Sequence, residues 1–135
     1  MTVQIGQRLD EVLRTTDEAQ MFLFCAATWN AHRIHYDRDW ARHEGYPDLV
    51  VQGTLQGAWL ADMAVQWAEG RGELRRFHFK NRGSAFLGEE LRVQGEVVSV
   101  TDGADGRPEA ELKLWIDGPR GVTAAGGAVV AITAA

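Results

Sequence analysis

The segment from Trp29 to Asp37 carries the densest set of side chains that could transfer protons. It reads Trp-Asn-Ala-His-Arg-Ile-His-Tyr-Asp and contains His32 and His35, two of the four histidines in the chain. A neutral imidazole can accept or release a proton near pH 7, and a neighbouring amide or carboxylate can hold a water molecule against it. The pattern therefore favours acid–base chemistry at this segment. The alternative is that both histidines only face solvent or cap a turn.

A second candidate is Gly53, which ends the sequence Val-Val-Gln-Gly directly before the longest helical pattern in the chain. A glycine at a helix start lets a ligand approach backbone N–H groups closely, and the helix N-terminus stabilises negative charge. We therefore expect this position to suit a reaction in which an oxygen atom gains negative charge. The alternative is that Gly53 only makes a turn and that Thr54 caps the helix.

The helix that must position Gly53 is predicted over residues 54–69. This stretch has no proline, and its polar residues follow one narrow stripe while apolar residues cover most of the remaining circumference. The stripe consists of Asp62, Gln66 and Glu69. A helix with this pattern is buried on most of its sides.

Two shorter helices flank the histidine segment. One is predicted over residues 19–28, introduced by a capping box of Thr15 and Glu18, in which a hydroxyl and a carboxylate satisfy backbone N–H groups. The other is predicted over residues 38–43, before the chain breaks at Gly-Tyr-Pro-Asp.

The second half of the chain alternates between apolar and polar residues, which predicts β-strands. The strands are expected at 73–82, 91–100, 110–117 and 122–133, in meander order. The last strand should bulge at Gly126 and Gly127, and an extended arm is expected within 7–13. A sheet curled around the long helix gives an α+β fold. A chain of 135 residues is expected to form a single domain over 1–135.

Composition narrows the classes of function. The net charge of −5 argues against a protein that coats nucleic acid by bulk charge. The single cysteine, Cys25, cannot form an intramolecular disulfide, and no set of cysteines and histidines has zinc spacing. The chain has neither the apolar run of about 18 residues that spans a membrane nor the start of a signal peptide. We therefore expect a cytoplasmic protein with no nucleic-acid or membrane partner.

A run of 30 residues, FCAATWNAHRIHYDRDWARHEGYPDLVVQG, resembles one family closely. The family is that of the MaoC-like acyl dehydratases, (R)-specific enoyl-thioester hydratases with the hot-dog fold. The run is most similar to the branch that holds fungal mitochondrial hydroxyacyl-thioester dehydratases and mesaconyl-CoA hydratase-like proteins. The order of helix, histidine loop, short helix, glycine, long helix and strands extends the resemblance to nearly the whole chain. The resemblance implies a single hot-dog domain, with an antiparallel sheet wrapped around a long central helix.

The common motif of this family, D-x-N-P-x-H, places a catalytic aspartate and a catalytic histidine five positions apart. Asn30 and His35 match its first and last positions, while His32 and Arg33 stand where the motif has Asn and Pro. The resemblance implies that His35 is the general acid and base and that Asn30 helps to hold the water. Asparagine cannot act as a base, so proton transfer falls more heavily on His35. Asp37 could orient His35, or it could instead begin the next helix.

The resemblance also implies that the Gly53 N–H binds the thioester oxygen. Family members commonly have His-Gly where this chain has Gln52 and Gly53, which brings the pocket shape and the choice of substrate into question. The implied reaction is the reversible hydration of a 2-enoyl thioester to a 3-hydroxyacyl thioester, with no metal or redox cofactor. The carrier of the acyl group could be coenzyme A or acyl carrier protein.

Both carriers are anionic, and residues 71–82 hold five basic residues and one acidic residue. The candidates for phosphate contacts are Arg33, Arg75, Arg76, Lys80 and Arg82. The residues expected to bind substrate are His32, Arg33, Gln52, Thr54, Trp59, Arg76 and Lys80. Trp59, Trp67 and Phe86 could line the acyl tunnel. The alternatives are a solvated outer face for the basic strand and a core position for the tryptophans.

Two other functions stay open at this point. One is a non-catalytic hot-dog subunit that shapes a partner's acyl tunnel, which the departures at Asn30 and Gln52 motivate. The other is a hot-dog thioesterase, which usually has a carboxylate on or near its central helix, whereas Asp62 and Glu69 lie well along this one. Folds of this kind generally pair their sheets edge to edge, so a homodimer is expected.

Overall fold

A computed structural model describes residues 2–133. The helices are α1 (Glu18–Thr28), α2 (Arg38–His43) and α3 (Gly53–Ala68), with a 3-10 turn at Arg33–His35. The strands are β1 (Val12–Arg14), β2 (Gly72–Asn81), β3 (Leu91–Asp102), β4 (Pro108–Gly118) and β5 (Gly121–Ile132). The predicted α+β class is confirmed, and the three predicted helices and four long strands occur close to their expected bounds. None of the helices within residues 2–133 has the length and apolar composition needed to cross a membrane.

The strands form one antiparallel sheet in the order β1-β3-β4-β5-β2. The predicted meander is therefore wrong for β2, which pairs with β5 at one end of the sheet and not with β3. The reason lies in the connection between β2 and β3. Its Ala85 carbonyl accepts the Val51 N–H at 2.8 Å, and its Leu87 N–H donates to the Leu49 carbonyl at 3.0 Å. The connection is thus bound to the segment before α3 and cannot close a hairpin.

Helix α3 packs against the inner face of the sheet. Leu60 and Ala64 are fully buried, whereas Gln66 and Glu69 of the polar stripe are exposed, as the periodicity predicts. The helix approaches β2 most closely at Gly57, where a Cβ atom would lie 2.3 Å from the ring of Phe79. The absence of a side chain at this position lets the helix lie against the strand.

The start of α1 differs from the predicted capping box of Thr15 and Glu18. Asp17 is the N-cap, and its carboxylate accepts the Gln20 N–H at 2.7 Å. The chain enters the helix in an extended conformation at Asp17, which places that side chain over the first turn. Three successive residues of this segment can cap a helix, and the sequence alone does not rank them.

Strand β5 does not bulge at Gly126 and Gly127, where its pairing with both neighbours is regular. The irregularity lies at Thr123, which is skipped in the pairing with β4 and donates its hydroxyl to Gln56 Oε1 of α3 at 2.6 Å. Gly126 is required for a steric reason, because a Cβ atom there would lie 2.0 Å from the His78 carbonyl oxygen. Close approach of two backbones, not a bulge, therefore explains this glycine.

The two ends of the sheet are unequal. Strand β1 has three residues, and an isolated bridge between Arg8 and Glu96 extends its contact with β3, so the expected arm at 7–13 is only partly a strand. Strand β2 has ten residues and ends the sheet on the other side. Within residues 2–133 its outer edge has no partner strand.

Candidate active site

His35 lies at the end of the 3-10 turn, between α1 and α2. The residue is 7% exposed, and its Nδ1 lies 2.7 Å from the carbonyl oxygen of Val50. A carbonyl oxygen can only accept a hydrogen bond, so Nδ1 carries the proton and Nε2 is the basic nitrogen. The backbone thus holds the imidazole in the tautomer that can take a proton from water at Nε2.

The segment that holds this ring also leads into α3. The Val50 N–H donates to the Ile34 carbonyl at 2.9 Å, and Val50 forms a bridge with Phe86. Three residues after Val50 the helix begins at Gly53. The imidazole and the start of α3 are therefore fixed to one short piece of backbone, as a site that uses both would require.

Burial lowers the pKa of His35 below its ordinary value of 6.5, and this is the largest effect on the group. The Val50 carbonyl opposes it, since a hydrogen-bond acceptor favours the protonated ring. The positive charge that His32 can carry lowers the pKa of His35 further. The two rings meet edge to face with their centroids 5.7 Å apart. His35 is therefore neutral near pH 7 and able to accept a proton.

This environment predicts the pH dependence of any reaction that uses His35 as a base. Activity should be lost only as the pH falls below 6.5 and through the lowered pKa of His35. In His32→Ala, loss of the neighbouring charge raises the pKa of His35, so the acid limb moves to higher pH. Profiles of kcat/KM against pH for both proteins measure the shift. His43→Ala is the matched control. It also removes a histidine, but the ring of His43 packs against Trp40, whereas that of His32 packs against His35. A shift to lower pH in His32→Ala would contradict this account.

Asn30 follows Trp29, the C-cap of α1, which has a left-handed φ of 54°. The Asn30 N–H donates to the Cys25 carbonyl at 3.0 Å, and its side-chain oxygen accepts the His32 N–H at 3.3 Å. Asn30 also lines a mainly apolar cavity of about 310 Å³ beside the second half of α1. The cavity is lined by Phe22, Cys25, Ala26, Trp29, Asn30, Ala31 and Tyr36. In residues 2–133 no hydrogen bond joins Asn30 directly to His35.

Gly53 is the first residue of α3. Its N-cap is Gln52, with no side-chain capping bond, so the alternative in which Thr54 caps the helix is wrong. Among the described residues the Gly53 N–H makes no backbone hydrogen bond outside the helix, and no intrahelical acceptor exists for a first residue. The positive end of a 16-residue helix therefore begins with an N–H group that is free to bind an anionic oxygen.

Gln52 is fully buried and faces α1. Its Nε2 donates to the Met21 carbonyl at 2.7 Å and to Cys25 Sγ at 3.1 Å. These bonds tie the start of α3 to α1 and satisfy both hydrogens of the Gln52 NH₂ group. Its Oε1 is buried and has no partner within residues 2–133.

Asp37 does not orient His35. It is the N-cap of α2, where its carboxylate accepts the Trp40 N–H at 3.1 Å and pairs with Arg33 at 2.8 Å. The hydrogen bond from the Arg33 guanidinium is the largest cause that lowers the pKa of this carboxyl. Arg33 also stacks over Trp40, 4.1 Å from the ring centroid. The alternative, in which Asp37 begins a helix, is confirmed, and the orienting partner of His35 is instead a backbone carbonyl.

Trp59 and Trp67 lie on α3, and Arg76 and Lys80 lie on β2. Trp59 and Trp67 are buried in the hydrophobic core, in agreement with the core alternative. Arg76 and Lys80 are exposed on β2 and form no ion pair within residues 2–133, whereas Arg75 pairs with Asp105. The same part of the chain contains no group of three His, Cys, Asp or Glu side chains that could hold a metal ion.

Comparison with known proteins places these features in a family. A profile of hydroxyacyl-thioester dehydratase type 2 matches residues 7–87, a span that includes both His35 and Gly53. The chain belongs to this family, within the MaoC-like hot-dog proteins. The match covers more than half of the chain and includes the whole histidine segment.

Two curated relatives and one solved structure illustrate the similarity. The mesaconyl-C(4)-CoA hydratase of Chloroflexus aurantiacus is 52% identical over 58 residues, which are 41% of this chain and 21% of that protein. The mitochondrial hydroxyacyl-thioester dehydratase type 2 of Schizosaccharomyces pombe is 29% identical over 105 residues, 76% of this chain and 31% of that protein. The chain thus spans between about a fifth and a third of the length of these relatives. The (R)-hydratase from A. caviae involved in PHA biosynthesis superposes with a TM-score of 0.85 over 98% of both chains, at 20% identity. The hot-dog fold is therefore confirmed.

Proposed function

We propose that this chain catalyses the reversible hydration of a 2-enoyl thioester, with His35 as general acid and base and the Gly53 N–H as oxyanion donor. One observation carries the proposal: a buried, neutral imidazole with a basic Nε2 is fixed to the same backbone segment that ends in a free helix N-terminal N–H. Membership of a dehydratase family supports the reaction class.

The chemistry follows from these two groups. His35 Nε2 takes a proton from water while the water oxygen bonds to C3 of the enoyl group. The electron pair of the C2–C3 double bond moves toward the carbonyl, and the charge that develops on the thioester oxygen is stabilised by the Gly53 N–H and the α3 dipole. The imidazolium then returns the proton to C2 on the same face. Dehydration of the 3-hydroxyacyl thioester is the reverse, and proton transfer with charge stabilisation is sufficient for it.

Asn30 has the role of holding the water. Its amide cannot remove a proton, so it serves as a hydrogen-bond partner that fixes the water while His35 is the base. The apolar cavity beside Asn30 offers room for part of the acyl group. His32, Gln52 and Thr54 surround these groups in sequence and are proposed to shape the substrate pocket.

The thioester carrier is coenzyme A or acyl carrier protein. The unpaired cations of β2, Arg76 and Lys80, are the proposed phosphate contacts, with Arg33 nearer to His35 in sequence. A panel of 2-enoyl thioesters of increasing chain length, on both carriers, tests the proposal through consumption of the enoyl group. Turnover of at least one member is expected, and absence of turnover with all of them would contradict it.

A homodimer is the proposed assembly. Strand β2 ends the sheet with an unpaired edge of ten residues, and an edge of this length is a ready surface for another strand. Light scattering should give about twice the chain mass of 14.9 kDa. A monomer would contradict this assembly. Activity that appears only after mixing with a second hot-dog protein would instead favour a non-catalytic subunit. The observation behind this alternative is Asn30, which stands where the family motif has a catalytic aspartate.

A further inference from the structure

The side-chain amide of Asn81 lies against the start of α3. A Cβ atom built on Gly53 would fall 2.2 Å from Asn81 Nδ2 and 2.9 Å from its Oδ1. Asn81 is the last residue of β2, and its backbone pairs with Ala124 of β5. The amide therefore occupies the space that a side chain would fill at position 53, the residue that carries the free N–H of α3.

Nothing else within residues 2–133 uses this amide. The side chain of Asn81 makes no hydrogen bond in this part of the chain, and no side chain caps α3. The residue is exposed, so a ligand can reach it. An amide NH₂ group supplies two donors and can serve an anionic oxygen without losing a proton to it. A donor at this position would add to the one that the helix already presents.

We propose that Asn81 is a further catalytic residue, whose Nδ2 donates a second hydrogen bond to the thioester oxygen bound at the Gly53 N–H. This inference rests on the proposed hydration reaction. It also explains the glycine, because any Cβ at position 53 would push the amide away from the oxygen. Asn81 forms no covalent bond with the substrate, and its contribution is to stabilise the charge that develops as the C3–oxygen bond forms.

The substitution Asn81→Asp distinguishes the proposed catalytic role of this side chain from a purely structural one. If the side chain only supports the N-terminus of α3, Asn81→Asp should be harmless or stabilising, since a carboxylate is favourable there. If the side chain contacts the thioester oxygen, the same carboxylate faces a developing negative charge. Loss of a donor of this kind typically lowers kcat by ~10²–10³-fold.

The test compares kcat, KM and the melting temperature of wild type and Asn81→Asp with the 2-enoyl-CoA that wild type turns over best. We expect kcat to fall at least about 10²-fold, KM to change less, and the melting temperature to stay the same or rise. Gln20→Glu adds the same charge at an exposed position in the first turn of α1 and should leave kcat unchanged. A wild-type kcat in Asn81→Asp would overturn the proposal.

Gly53→Ala gives a second, independent measurement. It keeps the backbone N–H but displaces the Asn81 amide, which is the free end of a flexible side chain, so the fold should survive. In the wild-type background we expect Gly53→Ala to lower kcat. In the Asn81→Ala background, which already lacks the amide, Gly53→Ala should lower kcat no further. Equal losses in both backgrounds would overturn the proposal. A wild-type chain with no turnover would instead overturn the hydration reaction itself, and this inference with it.

Discussion

His35→Ala is expected to lower kcat/KM for enoyl-thioester hydration by ~10²–10⁴-fold, the range that a positioned general acid–base usually contributes. Neither Asp37 nor Asn30 can replace it. Asp37 is held by Arg33 and by the first turn of α2, and Asn30 has no basic form. Steady-state kinetics at a pH above 6.5, where His35 is neutral, measure the loss.

The stability of this variant must be separated from its chemistry. His35 is buried, and its removal leaves the Val50 carbonyl without its donor, which costs about 1–3 kcal/mol. His35→Asn is the better matched change, because an amide NH₂ can still donate to that carbonyl while the basic Nε2 is lost. We expect His35→Asn to be folded, by its melting temperature, and as inactive as His35→Ala. A folded His35→Asn with wild-type kcat/KM would show that His35 is not the base.

Gly53→Pro is expected to lower kcat by a further ~10²–10³-fold relative to Gly53→Ala, because it removes the N–H itself. Proline is well tolerated at the first residue of a helix, where its missing N–H has no intrahelical acceptor. Gln52 has φ −56° and ψ 132°, a conformation that a following proline favours. The backbone is therefore already suited to this substitution.

The comparison with Gly53→Ala isolates the N–H group, because both variants carry a Cβ atom that displaces Asn81. The measurement is kcat for each variant with one enoyl-CoA, with melting temperatures to confirm that both are folded. Equal kcat values in the two folded variants would show that the Gly53 N–H does not contact the oxygen on which charge develops.

The elements of this fold follow from patterns that are local in sequence. The polar stripe at Asp62, Gln66 and Glu69 predicts a helix buried on most sides, and alternation predicts the four long strands. Alternation specifies which face of a strand is buried, but it does not specify the neighbouring strand. The position of β2 beside β5 depends on backbone bonds between the 82–90 connection and the segment before α3, such as the one from Val51 to Ala85, which carry no side-chain signature.

In the candidate site, too, some residues could be predicted from the sequence and some contacts could not. His35 and Gly53 could be found from residue type and position, and the resemblance gave them roles. The partner of His35 could not be found, because it is the backbone carbonyl of Val50, and any residue has a carbonyl. Of the two roles open to Asp37, that of helix start is correct and that of partner to His35 is wrong, because its carboxylate caps α2 and pairs with Arg33.

Asn81 was missed for a different reason. Its only sequence signal is a polar residue at the end of a strand, which is a common and unspecific feature. Its place beside Gly53 arises from the packing of β2 against α3, the same packing that brings Phe79 onto Gly57. Contacts between elements far apart in sequence depend on the strand order, which alternation does not give.

The most direct test of the account is the fate of solvent oxygen. Wild-type protein is incubated with a 2-enoyl-CoA that it consumes, in water enriched in ¹⁸O, and the products are analysed by mass spectrometry and by assay of free thiol. Hydration by His35 predicts one ¹⁸O atom in a 3-hydroxyacyl thioester whose thioester bond is intact, with no release of free coenzyme A. Label in a free carboxylic acid, together with stoichiometric release of thiol, would show a thioesterase and contradict the central claim.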